Sequence, residues 1–184
     1  QITQAAPFDL FLAADQARPK QLVADGLAIA ESRFTYAVGR LVLWSAEPGV
    51  VTGEETLRGG AFESLAIADP AAAPYGAAAI ETLDALGLTA ALRPRLVTGA
   101  NIAQTFQFVE TGNAELGFVA LAQLARTHTG SRWIVPESLY GPIRQDAVLL
   151  TAAREIEAAR AFLDFLAGEA GRAIIESHGY GTGR

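Results

Sequence analysis

Apolar residues fall along the chain in short runs separated by amphipathic stretches and by Gly or Pro. Residues 8–13 (FDLFLA) are one such run and predict a buried strand. A short helix follows from about Arg18 to Ala24. Gly26 predicts its stop, because glycine takes the left-handed C-terminal position without a Cβ penalty. Residues 33–46 (RFTYAVGRLVLWSA) are rich in aromatic and β-branched types and predict one long strand or two collinear ones. Pro48 and Gly49 end that segment. Residues 64–68 (SLAIA) predict a strand running into the turn DPAAAPYG (69–76), and a helix follows from about Gly76 to Leu86.

The alternation continues downstream. Residues 95–98 (RLVT) predict a strand, and Gly99, Ala100 and Asn101 turn into a helix from about Ile102 to Glu110. Residues 116–120 (LGFVA) predict a buried strand, Leu121–Thr127 a helix, and 143–151 (IRQDAVLLT) a strand with a polar start. Ile156, Ala159, Phe162, Leu163 and Leu166 recur at helical spacing and predict one buried face. After Gly168 a second helix near 169–177 places Ile174 and Ile175 inward. Strands alternating with helices predict an α/β fold with a mostly parallel sheet flanked by helices.

Composition narrows the function. The 184 residues suffice for one ordinary domain or two small ones. At 51% hydrophobic and 18% charged, the chain can bury a core. Its net charge is −6 and Lys20 is the only lysine. Without a basic tract to displace counterions, nucleic acid is not an expected partner. No cysteine is present, which removes disulfides, thiolate metal sites and cysteine nucleophiles. No apolar run approaches the ~18 residues of a membrane helix, so the chain is not expected to span a membrane.

Catalytic signals are weak. His128 and His178 have no acid or nucleophile at a motif spacing and read as structural or solvated. The Gly-x-Ser-x-Gly elbow, the Walker loop and the dinucleotide glycine pattern are missing from the sequence. Glu54 and Glu55 are adjacent, point different ways and read as a solvated turn rather than metal ligands. The stronger signal is a strand–turn–helix unit that occurs twice. Pro74-Tyr75-Gly76 opens one helix, and Gly99-Ala100-Asn101-Ile102 opens another. A helix start carries unpaired N–H groups and the positive end of the dipole, and so can hold an anion without a charged side chain. Taken alone, each turn reads first as an ordinary α/β connection, with Asn101 as an N-cap.

FLAAD (11–15), RFTYAVGRLVLWSAEPG (33–49), DPAAAPYG (69–76), NIAQTFQFVETGNAELGFVALAQ (101–123) and FLDFLAGEAGRAIIESHGY (162–180) together resemble the periplasmic molybdate-binding proteins of ABC importers. The resemblance runs along nearly the whole chain in order and is most specific in 33–49 and 101–123. It implies a periplasmic-binding-protein-like fold of two lobes joined by two crossing strands. One lobe would hold residues 1–38 and 145–184 and the other 39–144, with crossings near Tyr36–Leu43 and Ile143–Val148. It also implies extracytoplasmic capture of molybdate or tungstate, no cofactor, and a membrane permease as partner. The oxyanion would lie between the lobes, held by backbone N–H groups at helix starts and by Ser or Thr hydroxyls. Two such N–H positions carry over to this chain, Tyr75 and Ile102. The Tyr75 ring would either cover the site or face solvent. Some relatives add a tyrosine hydroxyl from the strand equivalent to 116–120, where this chain has Ala120.

The resemblance also sets an expectation at the N-terminus. Residues 1–4 (QITQ) resemble the tail of the family's second helix, so the first lobe would be incomplete and its hydroxyl donors upstream of Gln1. Hydrogen bonds to a charged group contribute ~1.5–3 kcal/mol each. Losing two or three would weaken binding by roughly a hundredfold to a millionfold. An exposed sheet edge, and with it self-association, would follow. Three alternatives stand beside the leading function. They are another anion such as sulfate, the effector-sensing domain of a transcription regulator with the same fold, and an α/β enzyme. The regulator needs a helix-turn-helix and the enzyme a nucleophile motif, and this sequence shows neither.

Overall fold

The computed structural model describes residues 1–4, 6–125, 127 and 129–182. In chain order the elements are β1 (Leu10–Leu12), α1 (Ala17–Ala24), β2 (Phe34–Gly39), β3 (Leu41–Ser45), α2 (Glu54–Gly59), β4 (Leu65–Ala68), α3 (Pro74–Ala85), α4 (Thr89–Leu92), β5 (Leu96–Gly99), α5 (Ile102–Glu110), β6 (Leu116–Ala120), β7 (Ser131–Ile134), β8 (Ile143–Leu149), α6 (Ile156–Ala167) and α7 (Glu169–Ser177). The fold is α/β, and the chain divides into two compact units: Gln1–Val38 with Ile143–Arg184, and Gly39–Pro142. The segment 33–46 therefore breaks at Arg40 into two strands that belong to different sheets.

The first unit is built on a three-stranded sheet in the order β1-β8-β2, with β1 antiparallel to β8. Alternation along β8 feeds two apolar clusters. Ala147 and Leu149 pack with Ala159 and Leu163 of α6 on one face. Val148 and Leu150 pack with Ala28, Leu22 and Val23 near α1 on the other. Ile156 and Phe162, expected inward, are 45% and 44% exposed, and Ile174 is 52% exposed. Leu10 of β1 and Phe34 and Tyr36 of β2 pack against the same cluster, yet only Ala159 and Leu163 of the α6 stripe are buried over this three-stranded sheet. Within this unit Asp146 is fully buried and bonded on both carboxylate oxygens. Arg33 Nη1 donates at 2.5 Å, Thr35 Oγ1 at 2.7 Å and Gln16 Nε2 at 3.1 Å.

The second unit has a mixed five-stranded sheet in the order β5-β4-β6-β3-β7. Its parallel part is β5-β4-β6; β3 joins antiparallel to β6 and to β7. One face carries Val42, Trp44, Ala66 and Val119 under Phe106 and Val109 of α5, and the Trp44 ring stacks on Phe106 with centroids 4.9 Å apart. By alternation Leu41, Leu43, Leu65, Ile67, Leu116 and Phe118 face the other way, and all are at most 2% exposed. The Leu41 N–H at the start of β3 is capped by the Tyr140 hydroxyl at 3.1 Å. Burial raises the pKa of that hydroxyl, so it stays protonated at neutral pH. Three elements go beyond the sequence expectation. Glu54 and Glu55 open the short helix α2, where Arg58 pairs with Glu54 at 2.6 Å, rather than a turn. α4 and the edge strand β7 are the other two. The helix expected over Leu121–Thr127 is a 3-10 turn at Leu121–Leu124.

Candidate functional site

The parallel strands bring three ends to one edge of the second unit's sheet. Ala68 of β4 is in register with Gly99 of β5, and β6 runs in the same direction beside β4 to end at Ala120. The chain leaves β4 through α3 and steps to β5, then leaves β5 through α5 and steps back past β4 to β6. Steps in opposite directions with right-handed crossovers place α3 and α5 on opposite faces. Both helices therefore start at the carboxyl edge of the sheet, where the strand order reverses. In open α/β sheets that crevice is where ligands bind.

Two glycines bring the helix starts against the strand ends. A Cβ on Gly76 would lie inside the contact shell of the Ala68 carbonyl, 2.7 Å from its carbon and 2.9 Å from the Asp69 carbonyl carbon. A Cβ on Gly99 would lie 2.8 Å from Thr105 Oγ1 and 2.9 Å from the Thr105 nitrogen. Only glycine permits these approaches. The turn before α3 is fixed by Asp69. Its carboxylate accepts the Ala71 N–H at 3.0 Å, and its carbonyl accepts those of Ala72 and Ala73.

In the first turn of α3 the cap residue is Ala73 and Pro74 occupies the first helical position, where proline forfeits no intrahelical bond. Gly76 and Ala77 both donate to the Ala73 carbonyl. Tyr75 lies between Pro74 and Gly76, and its side chain is buried at 6% exposure rather than turned to solvent. At α5 the Asn101 side chain accepts the Gln104 N–H at 2.9 Å, the N-cap expected from the sequence. The Gln104 amide reaches back to the Ala100 N–H at 2.6 Å. Among the described residues, the N–H groups of Ile102 and Ala103 donate to no protein acceptor. Tyr75 and Ile102, singled out from the sequence, thus sit at two helix starts on one sheet edge.

Ala120 supplies no hydroxyl, but its surroundings hold a group that sequence reasoning passed over. Gln123 Oε1 accepts the Ala120 N–H at 3.0 Å, and Gln123 Nε2 donates to the Ile102 carbonyl at 3.0 Å. His178 caps the end of α7 through its Nδ1, 2.8 Å from the Ile174 carbonyl. His128 lies outside the described residues. Among the described residues, no group of three or more His, Cys, Asp or Glu is placed to hold a metal ion. No helix there is long and apolar enough to cross a membrane.

Residues 1–181 match the family model described as bacterial extracellular solute-binding protein. The chain is 54% identical over 185 residues to the molybdate-binding protein ModA of Azotobacter vinelandii, covering 98% of this chain and 73% of that protein. Among solved structures, it superposes on an Azotobacter vinelandii periplasmic molybdate-binding protein with TM-score 0.90 and 39% identity, covering 100% of this chain and 82% of that one. It also resembles the substrate-binding domain of a molybdenum ABC transporter protein from Clostridium difficile. There the TM-score is 0.85 and the identity 29%, over 100% of this chain and 81% of that one.

Proposed function

Because the chain belongs to the bacterial extracellular solute-binding protein family, we propose that it captures molybdate in the periplasm and hands it to the permease of an ABC importer. Members of this family bind solutes, and the chain is a binding protein rather than an enzyme. The observation that carries the ligand class is the meeting of two helix starts, α3 and α5, at the carboxyl edge of the parallel strands β5-β4-β6. In this reading the backbone N–H groups of Tyr75 and Ile102 are donors to the oxyanion.

Such donors suit a tetrahedral dianion. Each N–H bonded to a charged acceptor contributes ~1.5–3 kcal/mol. The positive end of each helix adds roughly 0.3–1 kcal/mol. No counter-charged side chain is required, so nothing in the donor set titrates near neutral pH. The net charge of −6 does not oppose binding, since charges beyond ~8–10 Å are screened. Tungstate has the same shape and charge and would use the same donors. Calorimetric titration with molybdate, with sulfate as control, tests the proposal. The expected result is molybdate-selective binding whose affinity is flat between pH 6 and pH 8. Equal or tighter binding of sulfate refutes it.

A further inference from the structure

We propose that Gln123 is a positioning residue for the anion donors at the start of α5, an inference that rests on the function proposed above. A peptide group is planar, so its carbonyl and its N–H point in opposite directions as one rigid unit. Fixing the oxygen therefore fixes the direction of the hydrogen. The Asn101–Ile102 peptide is held in this way by Thr105, which is fully buried. The Thr105 N–H and hydroxyl both donate to the Asn101 carbonyl, at 3.1 and 3.0 Å. The Ile102 N–H belongs to that plane and is directed out of the helix start.

The next plane, Ile102–Ala103, is held by Gln123. Helical geometry gives the Ile102 carbonyl one donor, the N–H four residues on. A carbonyl oxygen has a second lone pair, and Gln123 Nε2 occupies it at 3.0 Å. The opposite end of the same amide accepts the Ala120 N–H, also at 3.0 Å. One planar group thus ties the last residue of β6 to the first carbonyl of α5. The Ala103 N–H shares that second plane and is aimed beside the Ile102 N–H. Gln123 acts on these donors only through the carbonyl. A 3-10 turn at Leu121–Leu124 needs backbone bonds alone, so its geometry does not account for a side chain reaching residue 102.

The test uses Gln123→Ala and Gln123→Glu in the whole protein, with molybdate affinity and thermal midpoint read together. At metal sites, removing a group that orients a direct ligand typically costs ten- to hundredfold in affinity, and the same order is expected for a group that orients the donors. Gln123→Ala is expected to weaken molybdate binding about tenfold, with little change in midpoint. In Gln123→Glu the carboxylate still accepts from Ala120 but repels the Ile102 carbonyl. Its protonated form can donate again. Its affinity is therefore expected to be below wild type at pH 8 and to rise only in part at pH 5, since an ordinary glutamate carboxyl titrates at ~4.3, while wild type changes little. If Gln123→Ala fails to fold, Gln123→Glu decides alone. Wild-type affinity in the variants, with or without a lowered midpoint, overturns the positioning role and leaves the proposed function standing. A wild-type protein that takes sulfate as tightly as molybdate overturns the function and this inference together.

Discussion

Replacing Ile102 by proline removes one backbone donor while asking little of the fold. Ile102 is the first residue of α5, the position at which proline is most readily accepted. The residue before a proline must be extended, and Asn101 already is, at φ −159° and ψ 173°. The bonds that form the cap all survive. Asn101 Oδ1 still accepts from Gln104, and the Asn101 carbonyl still accepts from Thr105. What disappears is the Ile102 N–H, which no protein acceptor uses among the described residues. A bond from that group to a dianion contributes ~1.5–3 kcal/mol, so affinity should fall by roughly ten- to a hundredfold. Ile102→Ala keeps the N–H and removes a half-buried side chain, which makes it the control for packing. The assay is molybdate titration by calorimetry, with tryptophan fluorescence as a check on folding. Both tryptophans, Trp44 and Trp133, lie in the unit that contains Ile102, and Trp44 stacks on α5 itself. Equal affinity for Ile102→Pro and wild type, with an undisturbed melt, would refute Ile102 as a donor. A loss equal to that of Ile102→Ala would refute it as well.

Two further perturbations probe the scaffold. Gly76→Ala sets a Cβ 2.7 Å from the Ala68 carbonyl carbon, where contacts of about 3.5 Å are comfortable, so the start of α3 must back away from β4 by roughly 1 Å. We expect a loss of about 1–3 kcal/mol in a fluorescence-detected melt together with weaker molybdate binding, and an unchanged midpoint would show the helix start to be pliant. Asp146→Ala strips Arg33, Thr35 and Gln16 of a shared acceptor. Breaking a buried pair costs ~3–5 kcal/mol, and because the Arg33 side chain is 30% exposed the loss should fall near the lower end. A change in denaturation free energy below about 0.5 kcal/mol, the usual range of neutral surface substitutions, would contradict that account of the cluster.

The sequence was most legible where glycine and a capping residue punctuate an apolar run. The segment 96–120 shows it. Gly99 and Asn101 mark the entry to α5, Gly112 follows its exit, and the strand LGFVA is β6 to the residue. These are local signals, fixed by backbone geometry and by the alternation of buried positions. Elements that depend on a distant partner were not visible in this way. β7 is four residues long and exists because Ser131–Ile134 pairs with β3, some ninety positions earlier. The break at Arg40 is likewise tertiary. Residues 34–39 and 41–45 both favour a strand, and only the assignment of β2 and β3 to separate sheets divides them. For α6 the period was right and the depth was not, since periodicity gives the direction of a stripe but not the width of the surface beneath it. The candidate site divides in the same manner. The positions of Tyr75 and Ile102 at helix starts were legible because helix starts have a sequence signature. Gln123 was passed over because a contact 21 positions back along the chain has none.

That division has a physical reason that bears on how such a site evolves. A site built on charged side chains advertises itself in composition, and its affinity follows the number of charges. A site built on backbone dipoles uses groups that every residue possesses, so identity matters little at the donors and greatly at whatever orients them. In the proposed site Ile102 would contribute its N–H whatever its side chain. The residues expected to tolerate least change there are those that hold the peptide planes and strand ends in place: Gly76 and Gly99 by their size, Asn101 and Thr105 by the cap, and Gln123 by its bridge. Gly76 and Gly99 act by allowing backbone to touch backbone, so even a methyl group is a disturbance. Thr105 and Gln123 act through carbonyl oxygens, so isosteric loss of a donor is enough to disturb them. Substitutions that spare affinity should therefore cluster at Ile102 itself, proline excepted, and those that abolish it at positions the ligand does not touch.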